Sequence, residues 1–131
     1  MQPIVVAGRA GIDGAFIWGE AMAIWKAAAT CFDGSTQSIR ALKGRRVRTR
    51  TALLGLARHD PATANPRPFD VAAGTEGFVG FPHADMRSLL VVFPNNPASM
   101  ASGFDALARS GEFRVAVVNG PTFKLQFEVA T

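Results

Sequence analysis

Two histidines and the carboxylates beside them are the residues in this sequence whose types and spacing come nearest to a reactive centre. His59-Asp60 and His83-Ala84-Asp85 supply two imidazoles and a carboxylate, and His59, His83 and Asp85 make a candidate triad for iron or zinc, His-x-Asp at a strand end being a workable chelating spacing. Both histidines stand near prolines, in stretches that read as loops, where a histidine is ordinarily a surface residue. The sequence therefore assigns no metal and no cofactor. There is no Gly-x-Ser-x-Gly nucleophile motif, and Ser35 in Asp33-Gly34-Ser35 is a turn serine. Cys31 is the single cysteine; it excludes an internal disulfide, has no basic neighbour in sequence, and reads as a buried apolar thiol. With no tyrosine and few acid–base pairs, no catalytic residue is assigned, and an enzyme would have to rest on the two histidines.

The most informative chemistry is cationic. Seven of the fourteen basic residues lie between Arg40 and Arg58 with no acid among them, whereas the rest of the chain is net acidic although the whole carries +4. In Arg46-Val47-Arg48-Thr49-Arg50-Thr51-Ala52-Leu53-Leu54 the alternation predicts a strand with Arg46, Arg48 and Arg50 on one face and Val47, Thr49, Thr51 and Leu53 on the other. Guanidinium groups repeating at about 7 Å along a strand can follow a polyanion and release its counterions, so Arg45, Arg46, Arg48 and Arg50 are the candidate contacts for nucleic acid or another anionic partner. The plainer reading is the solvated face of a sheet, with charge on an edge strand that blocks unwanted pairing. Exposed aromatics interleaved with the arginines, as single-strand binders use, are missing from the stretch.

Two loops frame this strand. Gly8-Arg9-Ala10-Gly11-Ile12-Asp13-Gly14 resembles a phosphate cradle in glycine content, but its spacing fits neither the dinucleotide fingerprint nor the phosphate loop, and it reads as a turn. Arg58 to Pro68 has three prolines and no periodicity, which predicts an exposed arm; Arg58, Pro61, Pro66, Arg67 and Pro68 are its candidate interaction residues.

The elements that position these residues are clearest from Asp85 to Val129. Arg87 to Phe93, closed by Pro94, is a short apolar run that predicts a strand buried on both faces. Asn96 and Pro97 are a cap and a first helical residue, so a helix is expected from about Ala98 to Arg109, ended by Ser110-Gly111. Phe113, Val115 and Val117 alternate with Glu112, Arg114 and Ala116, and Phe123, Leu125, Phe127 and Val129 with Lys124, Gln126 and Glu128. That pattern predicts two strands covered on one side, paired as a hairpin with Val117 opposite Phe123 across a five-residue loop or a bulge near Val118. Phe104, Val115, Leu125 and Phe127 would then share one core.

Earlier in the chain, Pro3 to Ala7 reads as a strand. Ala15 to Ala29 reads either as an amphipathic helix bearing Trp18, Met22 and Trp25, or as a short strand followed by a helix from near Glu20. Thr36 to Lys43 is a short helix or a connection, and Phe69 to Val71 and Phe78 to Phe81 are short strands. A chain of 131 residues with 48% hydrophobic and 18% charged residues is an ordinary globular composition, and one domain over residues 1–131 is expected. The fold class is α+β, a mostly antiparallel sheet of about five to seven strands, open to closure as a barrel, with one or two helices packed on one face. No apolar run reaches 18 residues, and the start lacks the basic residues of a secretory signal, so the expected location is cytoplasmic or within an assembled particle, although a signal already removed would leave no trace. Function follows from the missing chemistry, the protruding arm and the free strand edges: a non-enzymatic structural or interaction domain, a self-associating subunit of a larger assembly. Nucleic-acid binding through the cationic strand is the alternative, and a small metal-dependent enzyme the third reading.

Overall fold

A computed structural model of the chain describes residues 24–82 and 87–131. Its centre is β6 (Ser88–Pro94), the apolar run expected there. Both its neighbours pair with it antiparallel, β5 (Glu76–Pro82) with Val91 against Val79 and β7 (Phe113–Asn119) from Leu89 opposite Val118 to Pro94 opposite Phe113. Five further strands extend the sheet: β1 (Trp25–Ala27), β2 (Arg46–Thr49), β3 (Leu53–Arg58), β4 (Phe69–Val71) and β8 (Phe127–Ala130). The order is β1-β8-β2-β5-β6-β7-β3-β4, every pair antiparallel. The α+β class stands, but the sheet has eight strands among the described residues rather than five to seven, and it curls as an open half-barrel. Phe69 to Val71 is the short strand expected there; the unforeseen strands are β1, whose three residues are below what periodicity can resolve, and β3, which forms separately beyond the turn after Thr49.

The two sides of the sheet are filled differently. On the inner side Leu89, Val91 and Phe93 of β6 meet Val47, Val79, Ala116, Val118, Phe127 and Val129, and this core is closed by Ala28, Phe32, Ile39, Leu42 and Phe123. Ile39 and Leu42 come from α1 (Thr36–Leu42), whose N-terminus is capped by Ser35 accepting from the Ser38 backbone N–H at 3.1 Å. On the outer side Phe78 and Val92 meet Met100 and Leu107, with Phe104, Phe113 and Val115 packed around them. Helical segments therefore cover both faces, not one. The side chains of β7 are also turned over relative to the pattern: Ala116 and Val118 point into the main core, while Val115 and Val117 are half-buried on the outer side. Alternation separates two faces but does not say which one lies deeper, and a strand flanked on both sides is covered on both.

The helix expected over Ala98 to Arg109 is broken. Asn96 does cap it, accepting from the Ala98 N–H at 3.1 Å, and Pro97 does fill the first turn, but Pro97–Ser102 is a 3₁₀ helix that ends at Gly103. Gly103 takes φ +88, a conformation that side-chain-bearing residues avoid, and α2 (Phe104–Ser110) restarts beyond it, closing at Gly111 with φ +71. Met100, Phe104 and Leu107, spaced to share one face of an unbroken helix, meet in the same outer cluster despite the break.

The largest correction is at the C-terminus, where the expected hairpin is a helix. Asn119 accepts from the Thr122 N–H at 2.8 Å, Pro121 pre-sets the first turn, and α3 (Gly120–Gln126) follows. Phe123 and Phe127 are four apart and so satisfy a helical spacing as well as the alternation; their rings stack at 5.2 Å, and Phe32 meets Phe123 edge-on at 5.5 Å. Leu125 is the residue on which the two periods disagree. It is 67% exposed, so it shares no core with Phe127, while Phe104 and Val115 belong to the outer cluster. Strand β8 then pairs with β1 and β2 at the far side of the sheet, not with β7. Within the Ala15 to Ala29 segment, Trp25–Ala27 is extended against β8 and Ala28–Thr30 is one 3₁₀ turn, so no helix runs through to Ala29. The strand at Pro3 to Ala7, the glycine turn from Gly8 to Gly14, and Trp18 and Met22 lie outside the described residues.

Candidate interaction surface

The cationic strand is shorter than its alternation suggested, because β2 ends at Thr49 and the chain turns before β3 begins at Leu53. Val47 and Thr49 are buried, and the Thr49 hydroxyl donates to the Ala72 carbonyl at 2.9 Å while accepting from the Thr75 N–H at 3.1 Å, which ties the 72–75 turn to the strand. On the other side each arginine meets a partner supplied by a neighbouring strand or the C-terminal segment. Arg46 donates to Glu76 of β5 at 2.7 Å, and Arg48 donates to Glu128 of β8 at 2.6 Å while its guanidinium lies 4.4 Å over the Trp25 ring. Arg45 donates to the Ala130 carbonyl at 2.8 Å, and Arg50 through its backbone N–H to the Gln126 carbonyl at 2.7 Å. Glu76 and Glu128 are 30 and 80 residues away in sequence, so Arg46 and Arg48 meet acidic partners that the basic stretch itself lacks, while Arg40 and Arg50 are exposed.

The arm follows β3 directly. Asp60 holds its first turn, its carboxylate accepting from the Ala62 N–H at 3.0 Å and the Thr63 hydroxyl at 3.0 Å. Pro61, Arg67 and Pro68 are exposed and Pro66 half-buried. Arg58, His59, Asp60 and Pro61 form one wall of a groove of about 450 Å³ on the outer side of the sheet, opposite Phe104 and Ala108 of α2. Its floor is apolar: Leu90, Val92 and Val115 from β6 and β7, with Gly80 from β5. A methyl group on Gly80 would come within 3.2 Å of Val92 Cγ2 and 3.4 Å of the Leu90 carbonyl oxygen, so glycine keeps this floor flat.

Other candidates are placed as follows. His59 continues the ladder beyond β3, its N–H donating to the Val115 carbonyl at 2.8 Å. His83 and Asp85 lie outside the described residues, as does any triad built on them, and no group of three metal-ligating side chains occurs among the described residues. Cys31 is half-buried with its thiol 3.5 Å from the Ala28 carbonyl. The Asp33 carboxyl is lowered to about 2 by hydrogen bonds from the Ser35 side chain and backbone and from Ser38. It serves the turn that starts α1. Sequence reading passed over Arg114, whose guanidinium lies 4.9 Å over the Phe69 ring at the end of the inner face. The alternation that set Arg114 on a solvent side was the misleading signal; its place between Phe113 and Val115 in a covered strand was the useful one.

Comparison of the chain with family models, with curated proteins and with solved structures finds no match. No helix among the described residues is long and apolar enough to cross a membrane.

Proposed function

We propose that this chain is a non-catalytic interaction domain that self-associates as a subunit of a larger assembly, working in the cytoplasm or within such a particle. The observation that carries this reading is the apolar groove between the arm and α2. Leu90 and Val115 line it half-buried, and Val117, paired with Leu90 across β6 and β7, continues the apolar strip beyond the groove. A second copy of the chain covering the strip would remove it from water, with the proline-bearing arm as the flanking contact. β4, at the sheet margin, adds backbone groups that could pair between subunits. Nucleic-acid binding through Arg45, Arg46, Arg48 and Arg50 has less support, because intramolecular acceptors already use side-chain donors of Arg45, Arg46 and Arg48, and only the Arg50 guanidinium, 3.4 Å from the Leu125 carbonyl, is exposed.

Light scattering over a concentration series tests the proposal with the wild type and the groove variants Ala108→Glu and Val115→Glu. Ala108 is exposed on α2, so its substitution leaves folding intact while placing a charge at the groove wall. The expected result is a concentration-dependent rise in mass for the wild type that both variants abolish and the distant Gln37→Glu keeps. A wild type that stays monomeric at every concentration overturns self-association.

A further inference from the structure

Apart from the groove, a cavity of about 500 Å³ opens where the 72–75 turn, the end of β6 and the start of β7 meet. Four charged side chains line it, and three of them are committed: Arg46 to Glu76, and Asp70 to the Gly55 N–H at 2.8 Å. Arg114 is the exception. Its guanidinium rests on Phe69, its Nε is buried with no hydrogen-bond partner, and no ion pair to it occurs among the described residues. A guanidinium that lines a cavity without a carboxylate partner leaves donors for an acceptor that a ligand brings. A planar fork held against a ring is moreover oriented for a two-oxygen acceptor in its own plane.

We infer that this cavity binds a small organic carboxylate, with Arg114 as the group that receives it. The remaining wall fits that class. Val71, Pro94, Pro97 and Met100 offer apolar surface to a hydrocarbon body. With Arg46 paired to Glu76 and Asp70 turned to the Gly55 N–H, Arg114 offers a single charge, which suits a monoanion better than a dianion such as phosphate. The carboxylate accepts donors from Arg114 and its apolar body lies toward Met100. Arg114 also borders the groove proposed for self-association, so light scattering of Arg114→Gln beside the titration separates a loss of carboxylate binding from a loss of assembly.

Titration of the full chain with benzoate, isovalerate and inorganic phosphate at constant ionic strength, followed by amide and arginine side-chain NMR signals, tests the inference. Saturable shifts at Gly74, Thr75 and Arg114 with the two carboxylates, and none with phosphate, are expected. Arg114→Gln should weaken carboxylate binding by roughly tenfold or more, and Arg114→Lys, which keeps the charge but not the fork, should recover only part of it. Unchanged dispersion of the remaining amide signals confirms that each variant is folded. If the wild type shows no saturable shift, or if Arg114→Gln binds as the wild type does, the cavity is not a carboxylate site; phosphate binding equal to that of the carboxylates replaces it with a general anion site.

Discussion

The outer face of the sheet has two halves that solve the same problem in opposite ways. Over β8, β2 and β5 the exposed side is polar, with Arg46, Arg48, Glu76 and Glu128 neutralising one another across strands and Trp25 flat beneath Arg48. Over β5, β6 and β7 it is apolar, covered at one end by Met100, Phe104 and Leu107 and left as a groove at the other. The first half is self-sufficient in water. The second is unfinished, and the difference teaches that Arg46 and Arg48 spend their charge on cross-strand partners, while the groove keeps an apolar floor between charged side chains, Arg58, Asp60 and Arg114, that line it.

If that contrast is right, stability should reside in the inner core and not in either outer half. Phe127, fully buried between Phe123 and the sheet, should cost about 3–5 kcal/mol on truncation to alanine. Val115, half-buried in the outer cluster, should cost about 1 kcal/mol under the same change. Leu125→Ala, at an exposed helix position, should stay within about 0.5 kcal/mol. Reversible urea unfolding measures all three. A loss at Leu125 as large as that at Phe127 would restore the hairpin and abolish α3.

The helix α3 supplies the next and smaller effect. Its start depends on Asn119, so Asn119→Ala should cost about 1 kcal/mol, with Asn119→Asp keeping most of the stability because a carboxylate also caps. Equal stability of all three proteins would mean that the cap is not formed.

This region shows how far the sequence could be read. The elements with local causes were legible: the doubly buried run at β6, the Asn96-Pro97 start and Gly111 stop, the turn before α1, and the arginine alternation of β2. What failed depended on partners distant in sequence. Asn119-Gly120-Pro121 suits a hairpin loop and a helix start alike, and only the inner surface that receives Phe123 decides between them. The candidate surface was half legible. The arm was found from its prolines, but the groove it borders is assembled from β5, β6, β7 and α2, which no spacing connects. Glu76 and Glu128 were invisible as partners of Arg46 and Arg48 for the same reason.

The smallest effect concerns those pairs, and it bears on the charged half directly. Arg46, Glu76 and Arg48 are about a third exposed and Glu128 about a quarter, so water screens both interactions and each should contribute only roughly 0–1 kcal/mol. A double-mutant cycle with Arg46→Gln and Glu76→Gln, repeated at low and high salt, should give a small favourable coupling that salt reduces. The pairing also predicts how the strand treats nucleic acid. With their donors engaged, Arg46 and Arg48 should bind single-stranded or duplex oligonucleotides feebly, and the combined Glu76→Gln and Glu128→Gln change, which frees both guanidinium groups, should raise affinity and steepen its salt dependence by up to about two units of the log–log slope. Tight, strongly salt-dependent binding by the unmodified chain, lost on Arg46→Gln and Arg48→Gln, would instead make the charged half the working surface and reverse the contrast between the two.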